Sequence, residues 1–102
     1  MKLVVHPLAR DEIEAAIEKY AAISPSLGWR LSDEMDAIAD ELVAEPNRWA
    51  YYELLASDKR WRRRLTTGFP FVAIYEVIDQ QVLLVALAHT ARRPGYWQDR
   101  RL

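Results

Sequence analysis

Two stretches, residues 71–78 and 82–88, are apolar at nearly every position, with Glu76 the one charged residue inside them. A strand whose apolar residues alternate can leave one face in water, but a strand apolar at successive positions must be covered on both faces. Between the stretches lie Asp79, Gln80 and Gln81, enough for a tight hairpin at Asp79-Gln80, though without the glycine such turns prefer. These residues therefore require two adjacent central strands with a layer on each side.

The first layer is legible upstream. Lys2 to Val5 is a short β-prone run that His6-Pro7 stops, and Pro7 suits the first turn of a helix, where its missing N–H has no partner to lose. Asp11, Glu12 and Glu14 follow, favoured by the positive end of the helix dipole. Ile13, Ala16, Ile17 and Tyr20 then recur at helical spacing, which predicts a helix over about residues 7–22. Ser24-Pro25 restarts the pattern. Leu27, Leu31, Met35, Ile38 and Leu42 form a second stripe, with Asp33, Asp36, Asp40 and Glu41 opposite, and Pro46 closes a helix of about 25–45. Two amphipathic helices with so short a join make an antiparallel hairpin.

Residues 46–60 follow neither period, yet Trp49, Tyr51, Tyr52, Leu54 and Leu55 are too apolar for a free loop and are expected to pack on the body. Residues 61–67 alternate: Trp61, Arg63 and Leu65 share one face of a strand, and Arg62, Arg64 and Thr66 the other. The resulting order is β-α-α-β-β-β, an α+β fold with an antiparallel sheet and a helical hairpin packed on one face. The helices cover one side only. The other side needs residues 46–60 and the C-terminal tail, or a second chain.

A chain of 102 residues, 51% apolar and 28% charged, suits one domain over residues 1–102. The absence of cysteine excludes a disulfide scaffold, a thiolate zinc site and a cysteine nucleophile. No uncharged run is long enough to span a membrane, and Met1-Lys2 leads into no signal-peptide core, so a soluble cytoplasmic protein is expected. Two histidines without cysteine make no zinc pattern, and no glycine loop is present to cradle phosphate, so neither metal nor cofactor is expected. The net charge of −1 conceals a split, −6 over residues 1–45 and +5 over residues 46–102. A cationic half of this kind faces a polyanion or an acidic partner, or else only reflects acidic helices and basic strands.

Arg60-Trp61-Arg62-Arg63-Arg64 is the most informative cluster. On one strand face Arg62 and Arg64 lie about 7 Å apart, near the spacing of successive phosphates, and could grip an RNA backbone. The alternative is a solvated strand face or a charged edge that discourages strand pairing. Arg92-Arg93 with Tyr96-Trp97 suits phosphate contact and base stacking, or else the two rings fold back over the open sheet face. His89, at the end of an apolar strand, has a ring suited to proton transfer near neutrality, or it is a strand-end ring bonded to backbone.

Over nearly its whole length the chain resembles the RelE/ParE superfamily of type II toxin–antitoxin modules, the plasmid stabilization proteins. The resemblance rests on His6-Pro7-Leu8-Ala9-Arg10-Asp11-Glu12-Ile13, on Leu42-Val43-Ala44-Glu45-Pro46, and on Phe69-Pro70-Phe71 running into Tyr75-Glu76-Val77. It ends on His89-Thr90-Ala91-Arg92-Arg93-Pro94-Gly95-Tyr96-Trp97. It implies a compact toxin that arrests growth and is neutralised by a small antitoxin, whose C-terminal segment wraps the toxin and would cover the apolar sheet face. RelE-like members cut mRNA in the ribosomal A site without a metal; ParE-like members poison DNA gyrase and are not nucleases. Carried over by residue, Arg62 and Arg64 match the basic pair of the nucleases, with Arg in place of Lys. Arg92 matches a basic residue after the last strand, and Tyr96 lies about one position from a catalytic tyrosine. Val72 departs from the pattern, standing where those nucleases carry an arginine. Loss of a transition-state contact of that type costs roughly 2.7–4 kcal/mol in other enzymes.

The expected function is thus a growth-arresting toxin, acting either on the ribosome and its mRNA or on DNA gyrase. The candidate catalytic residues are Arg62, Arg64, Arg92, Tyr96 and His89. A protein-interaction module of the same fold without toxicity is the alternative.

Overall fold

In the computed structural model, which describes residues 1–53 and 59–101, strand β1 (Lys2–Val5) leads through His6 into helix α1 (Pro7–Ile23). His6 is the N-cap, its Nδ1 accepting from the Leu8 N–H at 3.0 Å, and Pro7 takes the first helical position. Only Ser24 separates α1 from α2 (Pro25–Ala44). The helices approach closely where Gly28 meets Ala21: a Cβ on Gly28 would lie 2.7 Å from the Ala21 Cβ. Three strands follow, β2 (Arg62–Leu65), β3 (Phe71–Ile78) and β4 (Gln81–His89), in a four-stranded sheet of order β1-β4-β3-β2.

The sheet is mixed, not wholly antiparallel as expected: β3 runs antiparallel to both neighbours, but β1 runs parallel to β4. The extra reversal comes from the stretch without a clear period. Tyr51 forms an antiparallel bridge to Arg62, with Tyr52 N–H donating to the Trp61 carbonyl at 2.7 Å and Arg63 N–H to the Ala50 carbonyl at 3.0 Å. The chain therefore crosses the sheet margin once before β2 starts. Leu54 and Leu55, expected to pack on the body, lie outside the described residues.

The turn between β3 and β4 is the tight one expected. Asp79 and Gln80 both take positive φ, 48° and 63°, the conformation of a two-residue turn matched to strand twist. A non-glycine residue in that region carries roughly 1–2 kcal/mol of strain. Gln80→Gly is therefore expected to stabilise the protein by about 1 kcal/mol, less the added chain entropy of glycine, read as a raised urea midpoint.

The core has two parts, one per sheet face. On the helix side Leu31, Met35, Ile38 and Leu42 of α2 and Ala9 and Ala16 of α1 pack on Phe71, Ala73, Tyr75, Val82, Leu84 and Leu87. On the other side Val72, Ile74, Leu83, Val85, Ala86 and Ala88 meet Trp61 and Trp97, flanked by Val4, Tyr52 and Tyr96. A bulge lets both Val85 and Ala86 serve this second face, because Tyr75 pairs with Leu84 and Ile74 with Ala86, leaving Val85 as the extra residue. Trp97 is 1% exposed and Trp61 3%. The second face is thus closed by this chain's own tail, strand and edge segment. An antitoxin is not required to cover it, which corrects that part of the expectation drawn from the resemblance.

Candidate functional site

The arginines of the basic half are largely engaged. Arg62, on the helix side of β2, donates through Nη1 to the carbonyls of Trp49 at 2.7 Å and Asn47 at 3.3 Å, and through Nη2 to the Tyr51 hydroxyl at 2.9 Å. Its guanidinium stacks 4.0 Å from the Tyr51 ring centroid. Arg64, one pleat further on the same face, pairs with Glu41 of α2 at 3.0 Å, stacks near Trp49 and also donates to the Leu65 carbonyl. Alternation along β2 produces this placement: Arg62 stands opposite Tyr75 and Arg64 opposite Ala73, both on the helix side, whereas Arg63 and Leu65 point the other way. Arg60 grips the buried Glu76 at 2.8 and 3.3 Å. This explains the single carboxylate in an otherwise apolar strand: a buried charge needs a hydrogen-bonded partner.

At the opposite margin of the sheet Arg92 and Tyr96 converge on Glu12, a residue the sequence placed near the start of α1 but gave no role in a site. Glu12 of α1 accepts from the Tyr96 hydroxyl at 2.7 Å, from Arg100 at 2.8 and 3.0 Å, from Arg92 at 3.4 Å and from the Leu87 backbone N–H at 3.1 Å. Arg100 also donates to the Val85 carbonyl at 3.0 Å. β1 pairs with β4 only as far as Leu84, so Leu87 N–H and Val85 C=O lie on an edge that β1 has already left. Glu12 and Arg100 satisfy that edge and fasten the tail to it. The signal was present in the helix pattern: Glu12 falls between Ala9 and Ala16 on the buried stripe of α1.

Burial, and then the hydrogen bond and negative charge of Glu12, hold the Tyr96 phenol well above its ordinary value; the Arg92 and Arg100 charges only partly offset them. Burial also raises Tyr75, whose hydroxyl donates to the Pro46 carbonyl at 2.8 Å, against the opposing charge of Arg62. For such a raised group the folded protein keeps a proton that the unfolded chain releases. Its contribution to stability is full below about pH 10 and declines as the pH rises above that value. Urea unfolding at about pH 9 and about pH 11 is expected to show wild-type stability falling with pH, and Tyr96→Phe falling less steeply.

His89 stands opposite Phe71 at the end of β4, exposed, with its ring 5.7 Å from the Phe71 ring. Its Nδ1 accepts from the Ala91 N–H at 3.0 Å, so the neutral ring carries its proton on Nε2. From the strand register its Cα lies roughly 12 Å from that of Arg64, with β3 between. Val72 is buried in the second core. The five nominated residues therefore form no single centre. Arg62 and Arg64 sit at the β2 margin, Arg92 and Tyr96 at the β4 margin, and His89 at a strand end. Among the described residues no group of three or more His, Asp or Glu side chains is disposed to hold a metal, and no helix is long and apolar enough to cross a membrane.

Among solved structures the chain is similar to the chromosomal ParDE toxin–antitoxin system from P. aeruginosa, with a TM-score of 0.72. The match has 17% identity and covers 87% of this chain and 95% of that one, a likeness of fold. No curated protein matches the sequence significantly. The sequence model of the family described as ParE toxin of type II toxin–antitoxin system, parDE, matches residues 3–94. With that span matched and the fold shared, the chain belongs to the ParE toxin family of type II toxin–antitoxin systems.

Proposed function

We propose that this toxin arrests growth without cutting RNA, by acting on DNA gyrase, and that a cognate antitoxin silences it. The observation that supports this reading is the commitment of four of the five nuclease candidates to the fold, His89 standing exposed at a strand end. Arg62 and Arg64 are bound to backbone carbonyls, Tyr51 and Glu41, Arg92 and Tyr96 are bound to Glu12, and the two pairs occupy opposite margins of the sheet. General acid–base and electrostatic catalysis need donors converging within hydrogen-bonding reach of one reacting group. A poison acting through surface contact needs no such convergence.

Purified protein is to be added to gyrase with supercoiled DNA and, separately, to a translating extract. Trapped double-strand breaks with intact message are expected; message cleaved under translation with clean topoisomerase reactions would overturn the gyrase reading. The sealed sheet and engaged arginines also suit an interaction module without toxicity. Induction of the gene alone separates the two, because a toxin stops growth and the module does not.

A further inference from the structure

Of the four tryptophans, three are enclosed. Trp61 and Trp97 are buried in the second core, and Trp49 lies under the guanidinium groups of Arg48 and Arg64. Trp29 is the exception. It stands on α2 beside the close approach of Gly28 to Ala21 and is 69% exposed, and Ile23, at the same end of the hairpin, is 67% exposed. An amphipathic ring left this open is the kind of side chain that anchors a protein interface.

Trp29 heads a row. Asp33, Asp36 and Asp40 follow it at helical spacing, so the four side chains share the face of α2 opposite the buried Leu31, Met35, Ile38 and Leu42. The three aspartates are exposed, and among the described residues none of them makes an ion pair or hydrogen bond. Arg30, next to Trp29 in the chain, is drawn off to the Phe69 ring, 5.7 Å from its centroid. Glu14 and Glu18 of α1, the helix packed alongside, are exposed as well. The row is therefore a negative ridge about 16 Å long with one aromatic end.

We propose that this ridge docks a basic helix of a partner protein, with lysines or arginines over Asp33, Asp36 and Asp40 and an apolar pocket over the Trp29 ring. Charge complementarity sets the sign of the partner. Spacing sets its shape. The carboxylates rise about 4.5 and 6 Å apart along the axis, the step of cations three and four residues apart on a second helix, and a helix crossing at about 20° stays over the whole row. Cations on one face of an extended strand recur about 7 Å apart and fall out of step. A nucleic acid or an acidic segment is repelled by the same carboxylates. The inference does not depend on which cellular process the toxin stops.

The test uses the full chain and three labelled peptides of about 20 residues, long enough to be helical in water. One is an alanine-rich helix with lysines in a single row and leucines at one end, the second carries glutamates in place of the lysines, and the third is the lysine peptide interrupted by prolines. Fluorescence anisotropy and amide shifts are the readouts. Saturable binding is expected for the uninterrupted lysine helix alone, with shifts at Trp29, Asp33, Asp36 and Asp40. Trp29→Ala, and separately the combination of Asp33→Asn, Asp36→Asn and Asp40→Asn, should each weaken it about tenfold or more. Neither variant should lower the urea midpoint appreciably, because these side chains are exposed. The proposal is overturned if the lysine helix gives no saturable shifts, if either other peptide binds as well, or if either variant keeps the wild-type affinity. None of these readouts uses growth arrest or gyrase, so failure here is distinguishable from failure of the gyrase reading.

Discussion

Replacing Glu12 by glutamine is expected to cost about 3–5 kcal/mol of folding stability, the penalty typical of removing one partner from a largely buried ion pair. The side chains of Glu12 and Arg100 are 16% and 11% exposed, so the guanidinium left behind cannot recover full hydration. Glutamine nearly preserves the shape, but its NH2 replaces one carboxylate oxygen and so faces either Leu87 and Arg100 or Tyr96, Arg92 and Arg100, where N–H and O–H groups already donate. Equilibrium urea unfolding checks the magnitude. Arg100→Met added to Glu12→Leu should recover part of the loss, because removing both charges avoids a buried unpaired one. If Glu12→Gln unfolds at the wild-type midpoint, the tail is not held by this carboxylate.

The second large effect is expected at Trp97. Truncation to alanine is expected to cost about 3–5 kcal/mol, in the range for emptying a buried aromatic site. Trp97 is 1% exposed and meets Tyr52 and Tyr96 edge to face at centroid distances of 5.0 and 5.3 Å, so one ring joins the tail to the edge segment over Val85, Ala86 and Ala88. Among the described residues its buried indole N–H has no acceptor, so part of the indole contributes packing without a hydrogen bond. Trp97→Phe keeps a ring and deletes that N–H, and it should cost much less than Trp97→Ala. Similar losses for the two would place the importance of the site in the indole rather than in covering the sheet.

Much of the architecture was legible because it is written in local periods. The stripes of Ile13, Ala16 and Ile17 and of Leu31, Met35 and Ile38 set the helices, and the two doubly apolar runs set the central strands. What the periods do not carry is long-range pairing. The direction of β1 turns on a single bridge at Tyr51, within a stretch too short and aromatic-rich to show an alternation. The charge split between the halves had the same fate. It suggested an exposed cationic surface, yet Glu12, Glu41 and Glu45 of the acidic half take Arg92 and Arg100, Arg64 and Arg48 of the basic half as partners. Apart from Glu45 and Arg48, three residues apart, these partners are separated by 23 to 88 residues and leave no mark in a sequence window. The family pattern located Arg62, Arg64, Arg92, Tyr96 and His89 by position, while their roles depend on neighbours that the pattern omits.

Tyr96 and its companions hold the fold together, and loss of the phenol oxygen alone separates that structural role from a chemical one. Tyr96→Phe removes one hydroxyl and its bond to Glu12, an expected loss of about 1.5–3 kcal/mol for a hydrogen bond to a charged group. The variant and wild type are to be induced at equal levels, at a temperature where the variant's own unfolding curve shows it folded. Growth arrest as strong as that of wild type is expected. Abolished arrest by folded Tyr96→Phe protein would contradict the claim and return Tyr96 to a chemical role.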